Sequence, residues 1–272
     1  FAYPGVQQVD IGALPIEAHL SLVENLLGLE RSLAQHVAER TGGNPLFAIQ
    51  LVGDWVERGV LVLGELGFRL KSGERAQLPD DIHDLWTHRI RQLFAKRGEG
   101  EQAWHALEVA AALGKDFHPA EWEAACRFAG LTVSPELLET LLAHRILEAN
   151  AAWFTFAHGM LRESLERTAR EARRLRRHHL ACAKMLEQLY PDFARVVAER
   201  RGEHLVQAGE LGAALEPLLV GAILRMKTSD FRVAHALFAR REEVMKLLGV
   251  SHSDPRWGEG WVRRARAHQL EG

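Results

Sequence analysis

Cysteine is scarce in this sequence, and its scarcity excludes a disulfide-based fold. Cys126 and Cys182 are the two cysteines among 272 residues; they lie far apart, and no C-x-x-C spacing occurs. Free cysteines within helical patterns are usually small buried hydrophobes. The cysteine content is therefore typical of a protein from a reducing compartment.

Motifs for catalysis and metal binding are also missing. The sequence has no G-x-x-x-x-G-K-[ST] phosphate loop, no H-E-x-x-H, no paired Cys–His zinc spacing and no G-x-S-x-G. Its fourteen histidines are scattered, and the neighbours His178 and His179 face different sides of a helix. The sequence thus predicts no metal site and no catalytic residue in this chain.

The sequence also has no large excess of positive or negative charge and no long apolar run. With 34 basic and 36 acidic residues the net charge is -2, which gives no global attraction to nucleic acid. No apolar run is long enough to cross a bilayer, and no signal-peptide pattern opens the chain. We expect a cytoplasmic protein that does not contact a membrane.

The length and the two ends indicate a multidomain fragment. A chain of 272 residues is long for one helical core, so we expect two or three domains. The sequence begins at Phe1 without an initiating Met and stops within a helical pattern. We therefore expect it to be part of a longer protein.

The most informative segment is Thr41–Phe47 (TGGNPLF), which lies between two amphipathic helical patterns. Gly42 and Gly43 can adopt backbone angles that other residues avoid. Pro45 stands where the next helix should begin, and there its missing N–H is harmless. One interpretation is a simple helix–turn–helix corner. The other is that the proline ring forms a small apolar surface that contacts a flat ligand ring.

The apolar spacing predicts a mainly α fold in three parts. Residues 1–77 contain the glycine–proline corner and then a short β-hairpin, predicted near residues 60–70. Residues 78–175 contain helices followed by a two-stranded wing, which is a winged-helix outline. Residues 176–272 are all helical, with small residues at matched positions, a pattern typical of tetratricopeptide-like repeats.

His158 stands at the junction between the predicted wing and the next helix, which we expect to continue past Leu175. Helix N-termini favour anions, so a histidine here is a candidate hydrogen-bond donor to a phosphate. The alternative is a helix-capping histidine without a ligand.

A basic run from Arg162 to His179 follows, with glutamates interspersed at helical spacing. It is interpreted as a solvated helix face, an interdomain connector or a DNA-binding surface.

Two segments resemble the STAND class of signal-transducing ATPases. Arg40–Phe47 (RTGGNPLF) is similar to the Gly-x-Pro motif of the helical lid in that class. Phe156–Glu163 (FAHGMLRE) is similar to the Met-His-Asp segment of the winged-helix domain, in the F-x-H-x-x-x-R-E form of bacterial regulators. Helical repeats normally follow, so the resemblance in domain order covers nearly the whole chain. Bacterial proteins of this layout are often fused to kinase, adenylyl cyclase or LuxR-type DNA-binding domains.

The resemblance implies a role for four residues. Pro45 would contact the adenine of ATP or ADP, and Gly43 and Asn44 would shape the turn. His158 would approach the β-phosphate of ADP and hold a closed, inactive state. Residues 1–77 would then comprise the end of the ATPase core and the helical lid.

The sequence departs from the family pattern at two places. Ala157 and Gly159 replace the Met and Asp that flank the family's histidine. The phosphate loop and the acidic Mg²⁺-binding strand are missing, and we expect them upstream of Phe1. ATP or ADP with Mg²⁺ is therefore the cofactor expected for the full-length protein.

The leading hypothesis is that this chain is the regulatory and oligomerisation portion of a nucleotide-switched ATPase. Its repeats would bind protein partners, and its self-association would depend on nucleotide. One alternative is a repeat scaffold that binds proteins independently of nucleotide. Another is a winged-helix regulator that binds DNA through Arg162–Arg177.

Overall fold

The computed structural model describes residues 12–64, 66–71, 82–97, 100–191 and 196–271. Over these residues the predicted mainly α fold is confirmed, with thirteen helices and five short strands. The chain divides into two compact units, Phe1–Gln92 and Leu93–Gly272. Residues 1–11, where the end of an ATPase core is expected, lie outside the described residues.

The first unit consists of helices and the predicted β-hairpin. Its elements are α1 (Ile16–Asn25), α2 (Arg31–Thr41), α3 (Pro45–Glu57), β1 (Leu61–Leu63), β2 (Phe68–Leu70) and the start of α4 (Ile82–Arg97). β1 and β2 are antiparallel, with Leu61 opposite Leu70, so the hairpin prediction is confirmed. Val23, Leu51 and Trp55 are buried in the core of this unit.

The first part of the second unit alternates helices with short strands. Its elements are α5 (Gly100–Leu113), β3 (Asp116–Phe117), α6 (Pro119–Ala129), α7 (Pro135–Ala143), β4 (Leu147–Asn150), β5 (Trp153–Phe156) and α8 (Gly159–Glu171). The strands form one antiparallel sheet in the order β3-β5-β4. The two wing strands were predicted, whereas β3 is too short to show an alternating apolar pattern.

The helix predicted to run from His158 past Leu175 is wrong, because the structure has two helices there. α8 ends at Glu171 and α9 (Leu175–Leu189) begins after a short turn. Arg173 in this turn has a positive φ of 60°, which a helix does not allow. Neither glycine nor proline marks the turn, so the sequence has no local signal for it.

The rest of the second unit is a series of helices. They are α10 (Ala198–Ala208), α11 (Leu211–Lys227), α12 (Phe231–Leu247) and α13 (Pro255–Glu271), and each contacts the next. Ala214 and Ala234 are fully buried, as small residues between paired helices should be. At Gly221 a Cβ atom would lie 3.0 Å from the backbone of Glu199, so glycine permits the close approach of α10 and α11.

None of the described helices is both long and apolar enough to cross a membrane.

Two buried histidines meet between α9 and α10. Nδ1 of His179 lies 3.0 Å from Nδ1 of His204, so one neutral ring donates a hydrogen bond and the other accepts it. Burial lowers the pKa of His179 to about 4 and that of His204 to about 3. Charging either ring inside the interface is therefore unfavourable.

This pair predicts a loss of stability in mild acid. Unfolded histidine has a pKa near 6.5, so between pH 6.5 and 4 the unfolded chain binds more protons than the folded one. Stability is complete above this window, and it should fall by about 1.4 kcal/mol per pH unit for each histidine as the pH drops. Denaturant unfolding between pH 7 and pH 4.5 measures the slope.

The variant His204→Asn should lose about half of the slope that the pair contributes, because one of the two shifted groups is gone. His144→Asn replaces an exposed histidine in the same unit and is the control. Equal slopes for the wild-type chain and His204→Asn would contradict the assignment.

Candidate functional site

The glycine–proline corner folds as its residue types dictate. Gly42 ends α2 in the left-handed conformation, with φ 56° and ψ 37°. Asn44 is the N-cap of α3, and its Oδ1 accepts a hydrogen bond from the backbone N–H of Phe47 at 3.1 Å. Pro45 is the first residue of α3 and is half-buried. Part of its ring is therefore accessible to a ligand at the start of a helix.

Gly43 holds the preceding segment against the corner. Its φ is 77°, and its carbonyl accepts a hydrogen bond from the N–H of Leu14 at 2.9 Å. A Cβ atom at Gly43 would lie 2.5 Å from the carbonyl oxygen of Leu14. Both the backbone angle and the close approach therefore require glycine.

A buried histidine contacts the last residue of α2, next to the corner. Nε2 of His19 is 2.6 Å from Oγ1 of Thr41, whose hydroxyl donates to the carbonyl of Val37 at 2.7 Å. Because the Thr41 proton is used for Val37, Nε2 of His19 must be the donor in the first bond. Burial lowers the pKa of His19, which favours this neutral form. No local sequence pattern marks His19, because its partner is 22 residues away.

His158 lies where the sequence analysis placed it, at the junction of β5 and α8. It occupies the N-cap position of α8 in an extended conformation, with φ -135° and ψ 128°. Its carbonyl accepts a hydrogen bond from the N–H of Leu161 at 3.1 Å. The imidazole makes no capping hydrogen bond to the helix.

The four predicted nucleotide-binding residues lie in two different units. Gly43, Asn44 and Pro45 are consecutive at one corner of the first unit, and His158 belongs to the second unit. One nucleotide shared by Pro45 and His158 stays a prediction.

Much of the basic run is neutralised within the fold. Arg162 pairs with Glu166, and Arg167 pairs with Glu171 at 2.9 Å, each across one turn of α8. Arg177 donates to the carbonyl of Ala129 at 2.8 Å. These contacts fit a helix face better than a surface dedicated to DNA.

Three other arginines of the run lie at one cleft. Arg170, Arg173 and Arg176 line a cavity of about 600 Å³ together with Arg240 of α12. Arg240 is paired with Glu243 at 2.6 Å, whereas Arg173 and Arg176 form no ion pair with any described residue. The cleft is positively charged and open to an anion.

A fully buried carboxylate, Glu108 on α5, is the main polar centre of the second unit. Its oxygens accept hydrogen bonds from the indole of Trp104 at 2.7 Å and from the Arg174 guanidinium at 2.6 and 2.9 Å. Nε2 of His178 lies 2.9 Å from the same carboxylate. The site joins α5 to α9 across 66 residues of sequence.

The partners of Glu108 keep it ionised. Burial by itself raises the pKa of the Glu108 carboxyl, but the hydrogen bonds from Arg174 and His178, together with the charge of Arg174, outweigh burial and lower it. The same contact raises the pKa of Arg174. Glu108 therefore holds structure together and has no sign of a role in proton transfer. Its role was not predicted from the sequence, because a lone glutamate in an apolar helix belongs to no informative motif.

Gly43→Ala should destabilise the first unit more than Gly42→Ala. Both positions are left-handed, which costs a side chain about 1 kcal/mol, but a Cβ at Gly42 meets open space. At Gly43 the contact with Leu14 should add about 1–3 kcal/mol. Denaturant unfolding of the two variants measures this difference. Equal losses of unfolding free energy in the two variants would show that contact with Leu14 does not constrain position 43.

Arg174→Ala should lower the free energy of unfolding by about 3 kcal/mol, because it leaves the buried Glu108 carboxylate without its main charged partner. Arg167→Ala is the matched control from the same run, since its pair with Glu171 is exposed and should be worth less than about 1 kcal/mol. Similar losses in the two variants would argue against a buried ionic centre.

No protein-family model, curated protein or solved structure matches this chain. Function must therefore be argued from the residues and their geometry.

Proposed function

We propose that this chain is the regulatory and oligomerisation portion of a STAND-class signalling ATPase. The observation that carries the proposal is the corner at Gly43–Pro45. Its glycine is required by contact with Leu14, its asparagine caps α3, and its proline ring begins the helix while partly exposed. A small apolar ring, half-buried and fixed at a helix start, suits contact with the flat face of adenine.

The element order supports a winged-helix domain after the lid. Three helices, α5 to α7, are interleaved with a strand and followed by the β4–β5 hairpin, and all three strands form one sheet. His158 follows the hairpin directly, at the start of α8. A helix start is a favourable place for a phosphate, because its N–H groups and dipole attract negative charge.

The helices α10 to α13 support a repeat region for protein partners. Each contacts the next, and buried small residues such as Ala214 and Ala234 lie where paired helices approach closely. This arrangement is consistent with tetratricopeptide-like repeats. We propose proteins as the partners of this region, with no role for a membrane and a cytoplasmic location.

The proposed activity is a conformational switch. ADP with Mg²⁺ would supply a charged ligand whose phosphates are held mainly by residues of the longer protein. Pro45 would bind the adenine face, Gly43 and Asn44 would fix the corner, and His158 would donate a hydrogen bond to the β-phosphate. A nucleotide shifts such an equilibrium only if it binds the closed and open states with different affinity.

Nucleic-acid binding is a second candidate, favoured by the arginine-lined cleft at α8 and α9. Arg173 and Arg176 are available there for phosphate contacts, whereas the other arginines of the run are mostly engaged within the fold. Duplex DNA binding by this chain with a strong dependence on salt would support this candidate. A repeat scaffold independent of nucleotide would show neither DNA binding nor a response to ADP.

The test of the leading proposal is His158→Ala in the longer natural protein. Loss of the hydrogen bond to ADP should speed ADP release and raise basal self-association, because the closed state loses stabilisation. Release of a fluorescent ADP analogue and light scattering measure the two effects. His144→Ala, an exposed histidine of the same unit, is the control. Unchanged ADP retention together with unchanged self-association would refute the role of His158.

A further inference from the structure

Two histidines and a glutamate meet on one face of α12 and α13. Nε2 of His235 lies 3.2 Å from Oε2 of Glu271, and Nδ1 of His268 lies 3.9 Å from the same oxygen. One ligand atom from each of the three residues falls within 4.8 Å of the others. The two imidazole rings are stacked, with centroids 4.0 Å apart and planes 24° apart.

We propose that His235, His268 and Glu271 form a binding site for Zn²⁺ or a similar divalent transition metal. Bonds of about 2.0–2.2 Å to nitrogen and oxygen place tetrahedral ligands about 3.4 Å from one another. The observed separations of 3.2 and 3.9 Å are close to that spacing. Because imidazole lone pairs lie in the ring planes, the two stacked rings must turn away from each other to bind one ion.

The ligand types select the class of metal. Two imidazoles and one carboxylate suit zinc, copper or nickel, whereas calcium and magnesium prefer sites made only of oxygen. Three protein ligands leave a fourth position of a tetrahedral zinc site for water or for a group from a partner.

The surroundings fix which atoms face the metal. Nδ1 of His235 is buried, so Nε2 is the nitrogen of that ring that an ion can reach. His268 and Glu271 are one turn apart on α13, and both are exposed, so ions can enter from solvent. The nearby Arg264 guanidinium is paired with Glu242 at 3.0 Å, which offsets its repulsion of a cation.

The metal would attach the far end of α13 to α12. Trp257, near the start of α13, is buried and donates to the carbonyl of Val250 at 3.2 Å. Glu271 is fourteen residues further along, about 20 Å at the helical rise. Bound metal would therefore fix the end of the helix that Trp257 does not hold. This role is independent of the nucleotide switch.

The experiment is titration of the untagged 272-residue chain with Zn²⁺ by calorimetry, with amide exchange of α13 measured before and after. We expect one ion per chain and slower exchange in the last turns of α13. His268→Ala and Glu271→Gln should each weaken binding about tenfold or more, since even outer contacts to metal ligands change affinity by 10–100-fold. Both residues are exposed, so neither variant should disturb folding.

His144→Ala is the matched control, because it removes an exposed histidine of the same unit that lies outside the cluster. It should bind Zn²⁺ as the wild-type chain does. The proposal is overturned if the wild-type chain binds no stoichiometric Zn²⁺, if His144→Ala and His268→Ala weaken binding equally, or if exchange in α13 does not respond to the metal.

Discussion

A buried carboxylate requires a cationic partner, and for Glu108 that requirement fixes α5 against α9. Arg174 and His178, one turn apart on α9, both reach this side chain. To place Arg174 there, the chain turns sharply at Arg173, and α8 and α9 become separate helices. α9 in turn packs against α6 and α10.

A second buried carboxylate repeats this arrangement between α6 and α10. Glu121 accepts hydrogen bonds from Arg200 at 2.7 and 2.9 Å and from the hydroxyl of Tyr190 at 2.8 Å. Burial by itself would raise the pKa of the Glu121 carboxyl. The hydrogen bonds and positive charge of Arg200 have the larger effect, so the pKa is lowered. The Glu121–Arg200 pair and the contact of Glu108 with His178 cross the boundary expected near residue 175 between a winged helix and repeats. Separating the winged-helix region from the repeats would leave a buried carboxylate without its cationic partner. In a nucleotide switch we therefore expect the second unit to move as one body.

The features that the sequence predicted depend on local rules, and those that it missed depend on distant contacts. The corner at Gly43–Pro45 was predictable because an N-cap asparagine and a first-turn proline act within a few residues. The hairpin and the wing were predictable from a change of apolar period. The buried role of Glu108 and the grouping of His235 with His268 follow from tertiary packing, which periodicity does not reveal. The helix break at Arg173 was missed for the same reason, since Arg174 binds a residue 66 positions away.

Photolabelling is a direct test of the proposal that the corner at Gly43–Pro45 contacts adenine. The longer natural protein would be irradiated with an azido-adenine analogue of ADP, digested, and the labelled peptides mapped, with excess ADP as competitor. We expect label on the peptide that contains Gly43–Pro45, and we expect excess ADP to remove it. Competable labelling confined to other segments, or no competable labelling at all, would contradict it.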